Sequence, residues 1–503
     1  MNKTTATNPL IWSDFPDPDL IRVGEVYYMV STSMHTMPGC PIMKSLDLVN
    51  WEMVNYVYDR FEDNDAHNLM DGQGIYGQGS WAASLRYHKG TFYVCFNCND
   101  MDRFYIYQTQ DIENGTWERT VIEEFLHDPA LIFDEGKPYI IYGCGDIRII
   151  ELTKDLAGIK PGGINQLLLE SKKENMALRC EGCHAYKING QYYLLFIEWP
   201  EDGHQRRRQI CYRSDKLLGS YQRKVILDDD MDYYNQGVAQ GAIVDTTNGE
   251  WFAIMMQDHG AVGRIPILMP VKWTDGWPIL GVKGKVPFKV EVPLTAVPTK
   301  PYVSSDEFDY QEDKLDLNWQ WNHNPDNKLW SLKERPGYLR LKTGSLTNSV
   351  LLARNTITQR TEGPDCTAST LMDISNMKAG DYAGMIALQD KFAAVGVKAG
   401  QNSKNYLTLS VNVGNGGEKV VEEKLFKGSL IYLRINFDFV NNVDLARFYY
   451  SINGEEWFQV GNQVKLEWTM KHFMGCRIGL FNYAGLESGG YVDFDYFHYQ
   501  KKI

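Results

Sequence analysis

Five times in its first half the chain repeats one unit: a short apolar strand, a turn centred on glycine, and a second strand rich in aromatics. The units turn at Gly24 (LIRVGEVYYMV), Gly90 (SLRYHKGTFYVCF), Gly136 (LIFDEGKPYIIYG), Gly190 (AYKINGQYYLLF) and Gly249 (IVDTTNGEWFAIM). Short strands recurring at this spacing are the signature of a β-propeller, here with five blades. The first strand of every blade lines the central axis, so equivalent positions converge on one spot. Those positions, a few residues before each glycine, are Asp17, Trp81, Asp128, Glu181 and Gln240. Two Asp and one Glu at one point form a carboxylate cluster, which suits acid/base chemistry on a glycosidic bond.

The local sequence supports that reading. Asp17 lies between Pro16 and Pro18 in FPDPDL, where both prolines restrict the backbone. Asp128 stands in a second Asp-Pro pair, LHDPALIF, and Glu181 precedes Gly182 in RCEGCHAY, a glycine that lets a ligand approach the backbone. Three neighbouring carboxylates repel one another, so at least one pKa should rise. The expectation is that Glu181 stays protonated and serves as acid. Asp128 raises its pKa and orients it, and Asp17 stays ionised and activates water. Trp81 in blade two offers a stacking face for a sugar. Arg264, just beyond blade five, offers a donor fork for hydroxyls or a carboxylate.

At 503 residues the chain is too long for one core. The proline-rich segment VEVPLTAVPTKPYVSSD marks a boundary near residue 300. Residues 1–300 are read as the propeller and 301–503 as a second domain. Beyond the boundary, segments such as YLRLKTG, SVLLARNTI, CTASTLMDI and CRIGLFNYAG alternate and are punctuated by turns, which predicts a two-sheet jelly roll. NGEEW reads as a hairpin turn. The fold class is all-β.

A net charge of −13 argues against nucleic acid or an anionic membrane as partner. Nine scattered cysteines read as free buried thiols in a reducing compartment. Two pairs have CxxC spacing, Cys95/Cys98 and Cys180/Cys183, and are read as core thiols rather than a zinc site because each falls in or beside a strand. The opening MNKTTATNPL lacks the apolar stretch of a secretion signal, so a cytoplasmic location is expected, or a periplasmic or secreted one if the natural chain begins earlier.

The chain resembles glycoside hydrolase family 43, the five-bladed-propeller pentosidases. The resemblance rests on NPLIWSDFPDPDLIRVGEVYYMVSTS, SLDLVNWE, HDPALIF, CEGCHAYK and QDHGAVGRIPILMPVKWTDGWP. The segments DEFDYQEDKLDLNWQWNHNPDNKLWSLKERPGYLRL and VDFDYFHY resemble the concanavalin-like domain of its xylosidase and arabinofuranosidase branches. The resemblance implies Asp17 as general base, Glu181 as general acid, Asp128 as tuner of that acid, and Arg264 as a ligand of the terminal sugar. It also implies an aromatic lent to the site by the second domain, for which Phe392 is the candidate, and a structural Ca²⁺ there, with Asp306, Glu307 and Asp495 as candidate ligands. Two positions depart from the family pattern. Cys183 stands where a proline is usual. Gln240 stands where many members carry a histidine that approaches a metal on the axis.

The implied activity is exo-acting hydrolysis with inversion, on β-1,4-xylo-oligosaccharides or α-L-arabinofuranosyl side chains of xylan-type polymers, with no cofactor needed. Inversion places the two carboxyls about 6.5–9.5 Å apart to admit a water. Two alternatives stand beside it: a carbohydrate-binding propeller without catalysis, and a retaining propeller hydrolase of the fructan and sucrose type.

Overall fold

Each repeated unit supplies the two inner strands of a four-stranded antiparallel sheet in a computed structural model of the chain, which describes residues 3–203, 206–401, 404–412, 414 and 417–502. Blade one is Asp19–Val23, Val26–Val30, Gly39–Ser45 and Glu52–Tyr58; blade five is Ala239–Asp245, Trp251–Asp258, Arg264–Thr274 and Trp277–Leu280. The innermost strands of successive blades contact one another in a closed ring. All five turn glycines adopt positive φ, with Gly24 at 64° and free space where a Cβ would be, so the requirement there is conformational rather than steric.

No blade is completed by a strand from the other end of the chain. The ends are instead tied beside blade five, where Thr4–Thr7 pairs with Lys289–Val292. Asn8 adds a clamp: its amide donates to the carbonyls of Leu268 (2.7 Å) and Pro287 (2.9 Å) and accepts from the backbone N–H of Leu268.

The second half is a sandwich of two large sheets. Strands such as Asp365–Asp373 and Leu430–Asp438 alternate between buried and partly exposed residues, the period-two pattern of a strand with one face on a core. Two details differ from the sequence reading. In SVLLARNTI, Val350–Leu352 form a 3-10 turn and the strand begins only at Ile357. Glu418–Phe426, an outer strand, was not anticipated.

The two halves share a sheet. Thr36–Met37, from the loop between the second and third strands of blade one, pairs with Gln320–Asn322 and becomes the edge of the eight-stranded sheet of the sandwich. Around this joint lie His35 and Tyr76 from the propeller and His323 and His472 from the sandwich, with ring centroids 4.7–5.5 Å apart. His323 Nε2 accepts from Ile75 N–H at 2.9 Å. The ring nitrogens of His35 and His472 find no partner among the described residues.

Burial holds His35 and His323 well below the usual imidazole pKa and His472 at about 4. Unfolded, these rings take up protons as the pH falls through 6.5; folded, His472 resists until about 4. Stability contributed by the neutral ring is therefore present above pH 6.5 and is lost as the pH falls between those values, by about 3 kcal/mol for His472 alone. Unfolding free energy measured in denaturant should decline over that window and decline less steeply in His472→Gln. Equal slopes would remove His472 from the account.

Candidate active site

Left-handed backbone marks the positions that turn a side chain toward the axis. Asp17 has φ 51°, Asp128 44° and Gln240 65°; in blade four the kink falls on Gly182, φ 70°, just after Glu181. Non-glycine residues in this region are strained and persist where neighbours over-determine them. Asp17 is fixed in this way: the preceding carbonyl, on Pro16, accepts from Thr32 N–H (3.1 Å) and Ser31 Oγ (2.7 Å). Its carboxylate accepts from Thr32 Oγ1 at 2.7 Å and from Arg264 Nη1 at 3.1 and 3.3 Å.

Asp128 Oδ2 accepts the Gly182 N–H at 3.0 Å, which locks the third blade to the fourth beside Glu181. A Cβ on Gly182 would come within 3.0–3.2 Å of the Gln240 side chain. The glycine thus lets Gln240 and Asp128 close on this strand, rather than making room for a ligand. Gln240 is buried, and its backbone N–H donates to Gln209 Oε1 at 2.8 Å. Glu181, whose side chain is 22% exposed against 7% for Asp128, is the more open of the two carboxyls.

His127 is a site residue the sequence reading passed over, although it adjoins Asp128 in the same motif. Its Nε2 lies 3.2 Å from Glu181 Oε2 and 3.6 Å from Asp128 Oδ2. Burial disfavours its charge, but Asp128 and the hydrogen bond to Glu181 prevail and raise its pKa to about 9. Burial likewise pushes Asp128 up to about 6, with the charges of Glu181 and Asp17 adding to it and His127 opposing. The carboxyl displaced upward is thus Asp128. The imidazole supplies a proton held between two carboxyls.

Beneath the cluster the axis is filled by an ion network. Asp19 accepts from Arg86 Nη1 (2.6 Å) and Leu85 N–H (2.7 Å), and lies 3.0 Å from His184 Nδ1. Burial works against its charge, but Arg86 and His184 hold the carboxyl down at about 2.

Trp81 stacks on Phe473 of the sandwich, with centroids 5.1 Å apart and planes within 10°, and faces His127 at 6.3 Å. Arg264 lies 4.7 Å over the same Phe473 ring and donates to the Phe473 carbonyl at 3.3 Å. Arg264 therefore holds Asp17 and the sandwich loop as well as facing the site. The aromatic lent by the second domain is Phe473. Phe392 does not fill that role: it is 1% exposed and packed inside the sandwich with Tyr382 and Phe481. It immediately precedes the buried strand Ala393–Ala399, which draws its ring into the sandwich core. Arg207 was also missed. It is partly buried, paired with Asp258, and lowered to about 10 by desolvation and then by the charge of Arg264. In the sequence it is the middle of an Arg-Arg-Arg run, which reads as a solvated charge cluster.

Removing the Phe473 ring should lower kcat/KM about 30–100-fold, the loss of one aromatic stack and one cation–π contact. The loss should appear mainly as a higher KM in steady-state kinetics of Phe473→Ala. An unchanged KM would make the ring a bystander.

The residues proposed for Ca²⁺ do not fit that ion. Asp306 spends its carboxylate on Phe308 N–H (2.8 Å), Tyr310 OH (2.5 Å) and Trp319 Nε1 (2.7 Å), and Glu307 pairs with His498 at 2.7 Å. Asp495 does not join them in a shared ligand set. Among the described residues two groups do bring cation-binding atoms together: His127, Asp128 and Glu181, and separately His67, Cys98 and Asp100. In the first the protonated imidazole already provides the positive charge.

Residues 6–278 match the family model described as glycosyl hydrolases family 43, and residues 305–500 match the β-xylosidase C-terminal concanavalin A-like domain. A β-xylosidase of Formosa agariphila is 30% identical, over 98% of this chain and 90% of its own. A non-reducing end α-L-arabinofuranosidase of Bacteroides ovatus is 27% identical, over 85% of this chain and 79% of its own. Among solved structures, a bifunctional GH43-CE protein of Bacteroides eggerthii superimposes with a TM-score of 0.94 at 46% identity, covering 100% of this chain. The chain spans 64% of that bifunctional protein's length.

Proposed function

The chain belongs to glycosyl hydrolase family 43, and from that premise we propose that it removes a terminal pentose, β-D-xylose or α-L-arabinofuranose, from xylan-type chains with inversion. The observation that carries the reading is the division of labour among three carboxyls. Asp17 is braced by Thr32 and Arg264, whereas Glu181 stands against a protonated His127 beside Asp128.

Asp17 takes a proton from water as its oxygen bonds to the anomeric carbon. The bond from that carbon to the leaving oxygen breaks, and the leaving oxygen takes the proton of Glu181. Solvent then removes the proton from Asp17 and restores one to Glu181, with His127 as the adjacent proton store. Asp128 holds the Gly182 backbone and so positions the strand that carries Glu181. Phe473 over Trp81 closes one side of the pocket, which supports attack at a chain end.

The test is kcat/KM on aryl β-D-xylopyranoside beside aryl α-L-arabinofuranoside, with the first-formed anomer followed by NMR. Turnover of either with inverted product supports the reading, and the ratio of the two rates names the sugar. Retained configuration would transfer the chain to the double-displacement mechanism. No turnover of either would overturn the substrate class and favour a binding role.

A further inference from the structure

His67, Cys98 and Asp100 meet outside the carboxylate cluster, where the loop leaving blade one crosses the end of a strand of blade two. His67 and Cys98 are fully buried and the Asp100 side chain is 10% exposed. Cys98 ends the strand Thr91–Cys98, and Asp100 lies in the turn that follows. The His67 carbonyl accepts from Asn324 N–H of the sandwich at 3.0 Å, so the group sits against the domain joint.

Hydrogen bonding fixes the state of His67. Its Nδ1 is 3.0 Å from Asn64 Oδ1, which also accepts the His67 backbone N–H at 2.9 Å. The Asn64 amide nitrogen is turned the other way, toward Met101 Sδ. Asn64 Oδ1 can only accept, so Nδ1 carries the proton and Nε2 presents a lone pair in the neutral ring. That lone pair points into a buried space 3.4 Å from Asp100 Oδ2, and Nε2 has no hydrogen-bond partner among the described residues. Cys98 Sγ lies 3.1 Å from Asp100 Oδ1. Two electron-rich atoms facing each other in a buried site call for a cation between them.

We propose that His67 Nε2, Cys98 Sγ and Asp100 Oδ2 bind a divalent cation of the zinc class, as three corners of a tetrahedron with water at the fourth. Zinc–nitrogen and zinc–oxygen bonds of about 2.0–2.1 Å place two such ligands about 3.3 Å apart, close to the spacing observed. Mixed imidazole, thiolate and carboxylate donors select zinc or cobalt over Ca²⁺ and Mg²⁺, which prefer oxygen. The bond from His67 Nδ1–H to Asn64 is the outer-shell contact that orients metal-binding imidazoles. On binding, Cys98 releases its proton to solvent, and the thiolate and carboxylate together neutralise the ion. Cys95, three residues away, takes no part: it packs into a different core cluster from Cys98. The signal was therefore never the CxxC spacing.

The site would act as a staple. Asp100 Oδ1 also accepts Gly79 N–H at 3.0 Å, and Asn99 N–H donates to the Gly79 carbonyl at 3.3 Å. Gly79 stands two residues before Trp81, whose own N–H donates to the Asn97 carbonyl at 3.2 Å. An ion at Asp100 fixes the loop that delivers Trp81 to Phe473.

The test uses the full, untagged protein, stripped with a chelator and titrated with Co²⁺. The expected result is a thiolate-to-cobalt charge-transfer band that saturates at one ion per chain, is displaced by Zn²⁺, and is absent in Cys98→Ser and His67→Gln. Zn²⁺ should raise the thermal midpoint, and Ca²⁺ and Mg²⁺ should not. Should the ligand variants fail to fold, Cys144→Ser decides the assignment, since Cys144 is the exposed thiol among the described residues. The band must survive that change. Absence of the band in the parent protein, its loss in Cys144→Ser, or its persistence in folded Cys98→Ser would overturn the site. The first of these outcomes would leave a proton shared between His67 and Asp100 in its place.

Discussion

Asp17→Asn loses about 10³–10⁴-fold in kcat on every substrate, whatever the leaving group. The amide can still accept from Thr32 Oγ1, so the side chain keeps its place. It cannot take a proton from water, and attack on the anomeric carbon needs that transfer however good the leaving group is. The change also strips the buried Arg264 of its anionic partner, which costs stability. The thermal midpoint should therefore be measured first and kinetics run well below it. The Phe473 carbonyl and ring still hold the guanidinium, so the variant is expected to fold. Turnover within tenfold of the parent would take Asp17 out of the base role.

The second large effect depends on the substrate. Glu181→Gln should lose about 10²–10⁴-fold on xylo-oligosaccharides, whose leaving alkoxide needs a proton. On aryl glycosides with an acidic phenol the loss should be slight, because that phenolate departs unaided. Glutamine retains an oxygen that can accept from His127, so the contact at 3.2 Å has a neutral replacement and the pocket keeps its shape. The informative quantity is the ratio of the two losses within one variant, since a general structural defect lowers both alike. A ratio near unity would refute the acid assignment.

Much of this site was legible because a propeller converts sequence repetition into spatial convergence. Asp17, Asp128 and Glu181 were found by counting back from turn glycines, and the positive φ at or next to each is the physical form of that repeat. What escaped was whatever the repeat does not carry. His127 and Arg207 act through neighbours brought in by folding, and one residue type beside another in sequence says nothing of a 3.2 Å contact across blades. Phe473 and Phe392 both lie in the second half and both are aromatic, yet one sits on a loop reaching the propeller and the other just before a strand, packed into the sandwich core. Only tertiary structure separates them. Glu418–Phe426 was missed because five of its nine residues are charged, which hides a strand whose faces are mostly solvated. Such charge also protects an outer strand from pairing with other chains.

The short strand Thr36–Met37 has a consequence for how such a protein can change over time. Two residues of a blade-one loop serve as the border of a sheet that otherwise belongs entirely to the other half. Cutting the gene near codon 300 would separate that border from its sheet, leave Gln320–Asn322 with an open edge, and carry Phe473 away from Trp81. Recombination that swaps sandwiches between unrelated propellers would meet the same obstacle. The two halves are therefore constrained to be inherited as one unit, and new specificities are expected to arise in the loops around Trp81, Arg207 and Phe473 rather than by exchange of whole domains.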